Sequence, residues 1–205
     1  MINEPTVAVF DFDGTMIHGD SFLPYLARVR GRRPVAVALG RRAPHLAAMI
    51  AGWRERDALK EEVLAELLAG VPLDHATAVA KAYVPRLEQR VRLNVLKRLR
   101  DHQTQGHQVV IVSASPLVYL KPFAERLNVD AVLATELEVS ADGRFTGRFV
   151  GRNCRGSEKV ARLRAWLDDR PVRLYAYGDS GGDRELLEFA DAAWVRSRRP
   201  MPALE

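Results

Sequence analysis

Two carboxylates stand two residues apart in Asp11-Phe12-Asp13-Gly14-Thr15, directly after the apolar run Val7-Ala8-Val9-Phe10. A short apolar run closed by Asp-Gly reads as a buried strand opening into a turn. The chain bends at Gly14, so both acids can serve one cleft from different angles. Two acids at the end of an apolar strand repel each other, which is costly unless a metal or a function compensates. Such a pair can divide labour: one carboxylate attacks an electrophile, the other shuttles a proton, and both lie close enough to share a cation. The other reading is a strand end whose aspartates cap a turn.

Further residues of this kind recur at the ends of apolar runs. Ser113 follows Val109-Val110-Ile111-Val112, and Asp179 and Asp183 lie in Gly178-Asp179-Ser180-Gly181-Gly182-Asp183 after a strand predicted over Val172 to Tyr177. Lys159 lies in Arg155-Gly156-Ser157-Glu158-Lys159, where a helix is predicted from Ser157 to Leu167. Taken singly, Ser113, Asp179 and Asp183 read as helix caps and Lys159 as a solvated first-turn lysine. Together they place polar groups at three strand ends, and ligands of parallel sheets bind beyond the carboxyl ends of the strands. Gly178, Gly181 and Gly182 give their loop room to approach an ion closely.

The elements that must position these residues alternate. After the first strand the pattern is helical from Ser21 to about Gln105, with breaks at Gly31 to Pro34, Gly52, Gly70 to Pro72 and Pro85. Asp20 or Ser21 is expected to cap the first helix and Asp74 the one after Pro72. Leu93, Leu96 and Leu99 form an amphipathic stripe. Pro116 fits the first turn of a helix running to about Leu127. Ala131 to Ala134 is a strand, Glu136 to Ser140 and Arg144 to Phe149 form a hairpin, and Ala192 to Val195 is a last short strand. Apolar strands alternating with helices predict an α/β fold: a Rossmann-like parallel sheet with helices on both faces.

The 205 residues are 47% hydrophobic and 28% charged, as in an ordinary soluble globular protein. No apolar run approaches the roughly 20 residues that span a bilayer, so stable membrane insertion is not expected and a cytoplasmic location is. The single cysteine, Cys154, excludes an internal disulfide and leaves too little thiol for a zinc cluster. The net charge of +5 is confined to residues 16–95, which hold 13 Lys/Arg against 8 Asp/Glu, while the remainder holds 18 of each. Arg28, Arg30, Arg32, Arg33, Arg41 and Arg42 carry it with no acid between them. That run reads as a solvated surface or as attraction for an anionic substrate. No aromatics interleave it, which argues against nucleic-acid binding by stacking. Oligomeric state leaves no signature in the sequence.

The four motifs, in this order and context, resemble the haloacid dehalogenase superfamily, in the branch similar to phosphoserine phosphatase, over nearly the whole chain. The resemblance implies a catalytic core of residues 1–16 and 96–205, with an inserted all-helical cap of residues 17–95 between the first and second motifs. It implies a phosphatase in which Asp11 attacks phosphorus to form an aspartyl-phosphate, while Asp13 protonates the leaving oxygen and then activates water. Mg²⁺ is expected on Asp11, the main-chain carbonyl of Asp13, and Asp179, with Asp183 either a direct ligand or an acceptor for a metal-bound water. Ser113, the Ala114 amide and Lys159 are expected to hold the phosphate, and Asp20 to meet a substrate amine.

Two departures bear on the substrate, expected to be a small phosphorylated metabolite. The cap arginine that meets the carboxylate of phosphoserine has no counterpart in Lys60-Glu61-Glu62-Val63-Leu64, and Gly182 stands where an asparagine is frequent. An amino-alcohol phosphate such as histidinol phosphate therefore fits better than phosphoserine. Phospholipid-derived head groups are a further alternative, and Arg54, Arg56 and Lys60 are candidates for a different anionic contact. A non-catalytic binding protein and haloalkanoate dehalogenation both fit poorly, since every acid of the metal-assisted chemistry is present.

Overall fold

The computed structural model describes residues 4–45, 56–168, 170–196 and 200–204. Its centre is a five-stranded parallel sheet of β1 (Thr6–Phe10), β2 (Gln108–Pro116), β3 (Ala131–Thr135), β6 (Arg173–Gly178) and β7 (Ala192–Val195). The strand order is β3-β2-β1-β6-β7. Side chains alternate between two apolar layers: Ala8, Phe10, Val109, Ile111, Tyr175 and Tyr177 face one, while Val7, Val9, Val110, Val112, Leu174 and Ala176 face the other. Burial of both faces explains why these strands read as continuous apolar runs. α5 (Leu93–Thr104) and α6 (Leu117–Leu127) cover the first layer, and α7 (Ser157–Leu167) and α8 (Arg184–Phe189) the second. The chain leaves β1 toward β2 on one side and returns to β6 on the other. This opens a crevice at the carboxyl ends of β1 and β6.

Between β1 and β2 lies a segment that is largely helical among the described residues: α1 (Phe22–Arg30), α2 (Arg32–Arg41), α3 (Arg56–Leu68) and α4 (Leu73–Glu88). Its buried residues, among them Tyr25, Leu64, Leu68, Ala80 and Tyr83, join the first apolar layer without interruption. Tyr119 of α6 is the meeting point, with ring centroids 4.7 Å from Tyr25 and 6.0 Å from Tyr83. A two-stranded hairpin, β4 (Leu137–Val139) and β5 (Phe145–Phe149), packs on α3. Gly147 makes that contact possible, because a Cβ there would lie 2.5 Å from the Ala65 Cα.

Several local expectations change. Pro85 lies inside α4 and does not break it: its carbonyl still accepts from the Gln89 amide at 3.3 Å, and the helix ends within one turn. The N-cap position of α4 is Pro72, and Asp74 sits in the first turn without capping it. Pro116 is the last residue of β2, so α6 starts one residue later than expected. On α5 the buried positions are Val95, Leu99 and His102, while Leu93 is 81% exposed. The break expected at Gly52, and Arg54, lie outside the described residues, as does the side chain of Arg56.

The arginine run stitches the cap together. Arg28 donates to the Pro24 carbonyl and lies over the Tyr83 ring, and Arg30 donates to the Leu67 carbonyl at 2.7 Å. Arg41 and Arg42 both meet Glu66, and Arg42 also pairs with Glu62. The acids that the run lacks in sequence arrive from α3.

His102 bridges α5 to the sheet, its Nε2 hydrogen-bonded to the Tyr177 hydroxyl at 2.8 Å and its Nδ1 to His107 at 2.9 Å. Burial, reinforced by His107, pushes its pKa down to about 4. The unfolded chain protonates this imidazole near pH 6.5 while the folded protein does not, so its contribution is intact above 6.5 and is lost as pH falls toward 4. The stability advantage of the native protein over His102→Gln is expected to shrink by about 2 kcal/mol between pH 7 and pH 4.5. Urea unfolding at both pH values reads this, and a pH-independent difference would contradict it.

Candidate active site

Asp11, Asp13, Ser113, Ala114, Lys159, Asp179 and Asp183 line one cavity of about 670 Å³ beyond the carboxyl ends of β1, β2 and β6, and Asp20 reaches it from the cap side. Lys159, buried in the first turn of α7, donates from Nζ to Asp11 Oδ1 and to Asp183 Oδ1, both at 2.6 Å. Asp183 Oδ2 accepts the Asp179 and Ser180 amides, each at 3.1 Å, which closes the loop after β6. One ammonium thus bridges acids 172 positions apart in the chain.

Burial raises the Asp11 pKa to about 7, with Lys159 opposing and Asp183 reinforcing the rise. Asp183 feels burial too, but the Lys159 charge and the two amides outweigh it and hold this acid below the usual carboxylate range. Burial alone would lower the Lys159 pKa; the two carboxylates outweigh it and raise it. Asp179 is raised by burial and by Asp183, while Arg196 lies 3.5 Å from its Oδ2.

Asp13 is held separately. Its Oδ1 accepts the Ser21 amide at 2.8 Å, and its Oδ2 accepts the Ser21 hydroxyl at 3.0 Å and the Ser115 hydroxyl at 2.6 Å. Ser21 also shares a hydrogen bond of 2.8 Å with the Tyr119 hydroxyl. Burial lifts the Asp13 pKa to about 6 against the pull of the Ser115 bond. Ser21 is therefore buried at the entry to α1 with its side chain on Asp13, and Asp20 caps that helix by accepting the Leu23 amide at 3.0 Å. The sequence reading left Ser115 unassigned; its signal is the position two residues after Ser113.

Ser113 lies within β2 rather than at its end. The strand shifts register against β3 between Ser113 and Pro116, and the Ser113 hydroxyl oxygen accepts the Ser115 amide at 3.0 Å. An oxygen used as acceptor leaves the hydroxyl proton available to donate into the cavity.

Asp11, Asp179 and Asp183 offer carboxylate oxygens that all lie within 4.8 Å of one another. This all-oxygen set fits a hard cation such as Mg²⁺. Gly14 makes room for the Asp179 carboxylate: with φ +81°, a Cβ there would lie 2.2 Å from Asp179 Oδ2. Three arginines without a local sequence signal, Arg92, Arg155 and Arg196, also line the cavity. Lys60 arrives from α3 and donates to the Ala114 carbonyl and to Asn153 Oδ1, the latter at 2.9 Å.

The family model of haloacid dehalogenase-like hydrolases matches residues 8–188. Protein CicA of Caulobacter vibrioides is 37% identical over 207 residues, covering 99% of this chain and 91% of the relative. A histidinol-phosphatase of Neisseria meningitidis is 26% identical over 196 residues, covering 89% and 86%. A solved Bordetella pertussis protein of unknown function superposes with a TM-score of 0.81 at 25% identity, covering 94% of this chain and 90% of that one. A substrate-bound phosphoserine phosphatase shares the fold with a TM-score of 0.67 at 16% identity, covering 93% and 85%. The chain belongs to the haloacid dehalogenase-like hydrolases and shares the fold of phosphoserine phosphatases. Among the described residues, no helix is long and apolar enough to cross a membrane.

Proposed function

We propose that this chain hydrolyses a small phosphate monoester through an aspartyl-phosphate on Asp11, with Mg²⁺ as cofactor. The observation that carries this reading is the Lys159 bridge: one buried ammonium on Asp11 and Asp183, beside Asp179 and in the same cavity as Ser113. The ammonium holds Asp183 charged and opposes the rise that burial imposes on Asp11, where an unpaired carboxylate would take up a proton more readily still.

A carboxylate oxygen of Asp11 attacks phosphorus, and the bond from phosphorus to the leaving oxygen breaks as the protonated Asp13 gives that oxygen its proton. Water then attacks the aspartyl-phosphate, Asp13 takes the water proton, and phosphate leaves with Asp11 restored. A group titrating near 6 suits both halves, since donor and acceptor forms are each populated near neutrality. Ser113, the Ala114 amide and Lys159 hold the phosphoryl oxygens, and Lys159 also offsets repulsion between Asp11 and the incoming dianion. Asp11, the Asp13 main-chain carbonyl and Asp179 would hold the Mg²⁺, and Asp183 would support the set. Bound there, the cation neutralises phosphoryl charge. Helices α1–α4 serve as the cap over this core.

For the leaving group, an amino-alcohol phosphate is favoured, with histidinol phosphate the leading candidate. Asp20 at the cavity edge supplies an acid for an amine, and a relative named histidinol-phosphatase aligns over most of the chain. Phosphoserine is less favoured because the cap cation is Lys60, already bound to the Ala114 carbonyl and Asn153. The test is a phosphate-release screen of the purified protein over aryl, amino-alcohol, amino-acid, sugar and head-group phosphates. Release is expected with Mg²⁺, abolished by a chelator and restored by added Mg²⁺. Release that persists in excess chelator, or none from any ester, would overturn the reading.

A further inference from the structure

The same cavity carries a second, chemically different wall. Besides the acids, the lining includes Phe22 and Leu23 from α1, Leu39 from α2, and Leu59 and Val63 from α3. Leu59 and Val63 are nearly buried, and the other three are half-buried at the cavity surface.

Among the described residues, three charged side chains between Gly14 and β2 line this cavity, Asp20, Lys60 and Arg92, and each has a partner, Arg92 donating from Nε to the Gly14 carbonyl at 3.2 Å. The Asp20 carboxylate accepts the Leu23 amide. The Lys60 ammonium is tied to the Ala114 carbonyl and Asn153, and lies 5.2 Å from the Phe22 ring centroid and 5.8 Å from that of Phe149. The cap wall therefore meets the cavity chiefly as hydrocarbon. A volume of about 670 Å³ also exceeds what a phosphate and a two- or three-carbon alcohol fill.

Resting on the phosphatase reading, we propose that the leaving group carries an apolar body, a ring or an alkyl chain of four or more carbons, that seats on this wall while its phosphate lies at Asp11. The occupant is argued from continuity: the wall and the acids share one cavity, so a leaving group bound there has Phe22, Leu59 and Val63 to pack on. Burying a methylene there is worth about 0.8 kcal/mol, which converts to about fourfold in kcat/KM per added carbon. Serine and ethanolamine gain nothing from such a wall. Histidinol, with a flat ring on a short linker, does.

The experiment measures kcat/KM with Mg²⁺ for ethyl, butyl and hexyl phosphate, phosphoserine, histidinol phosphate and p-nitrophenyl phosphate. The expected result is a rise of about fourfold per methylene from ethyl to hexyl, with phosphoserine below butyl phosphate. In Phe22→Ala and, separately, Leu39→Ala, the hexyl-to-ethyl ratio is expected to fall several-fold. If either variant fails to fold, the native chain-length series decides alone. Turnover of p-nitrophenyl phosphate with no dependence on chain length would overturn the apolar-body proposal and leave the phosphatase reading standing. No turnover of any ester would overturn the phosphatase reading, and the proposal with it.

Discussion

Asp11→Asn is expected to lower phosphate release by about 10⁴-fold or more, while the protein remains folded. The amide keeps the size of the carboxylate and loses the charge that makes it a nucleophile. Asparagine can still accept a hydrogen bond from Lys159 Nζ, now 2.6 Å from Asp11 Oδ1. Burial already disfavours the charged form of Asp11, so removing that charge costs the fold little. The check pairs a phosphate-release assay with unfolding of both proteins. Full activity in the variant would remove Asp11 from the chemistry.

Lys159→Met is expected to act on stability as well as on rate. The side chain is 2% exposed and neutralises two buried carboxylates, so its loss strands both. Breaking a buried pair in this way costs about 3–5 kcal/mol. The sign of its pH dependence follows from the acids. Without the ammonium, the folded-state pKa of Asp11 rises further, and Asp183 loses the charge that holds it below the usual carboxylate range. The penalty is then small near pH 4, where protonation relieves the stranded acids, and grows as pH rises toward 8. Added Mg²⁺ is expected to recover part of the lost stability, since a cation among the acids replaces the missing charge. Denaturant midpoints at pH 4.5 and 7.5, with and without Mg²⁺, measure all three effects. A deficit unchanged by pH and by Mg²⁺ would point to lost packing instead.

The chemistry was legible in the sequence because strand ends punctuate it. Apolar runs stop at Asp11, near Ser113 and before Asp179, and in a parallel sheet those stops share one edge. The hairpin around Asp142-Gly143 and the helix Ser157–Leu167 were equally plain, because their turn residues and apolar periods are local. Pro85 misled for the opposite reason: whether a proline breaks a helix depends on how many turns remain and on what packs around it.

What only the tertiary structure decided is how the acids differ. Asp11 and Asp13 are two residues apart, yet one shares Lys159 with Asp183 and the other is clamped by Ser21 and Ser115. Ser21 lies only eight positions from Asp13, but the contacts that separate the two acids most, from Ser115 and Lys159, join segments about a hundred or more residues apart, which no local pattern encodes. The arginine run reads alone as a solvated surface or an attraction for an anion, yet Arg41 and Arg42 meet acids of α3, and Arg28 and Arg30 donate to main-chain carbonyls. Residue types and order along the chain determined which side chains stand at the strand ends as candidates for chemistry; burial and hydrogen bonding, which set each carboxyl's proton affinity, exist only once the sheet and the helices beside it have closed around them.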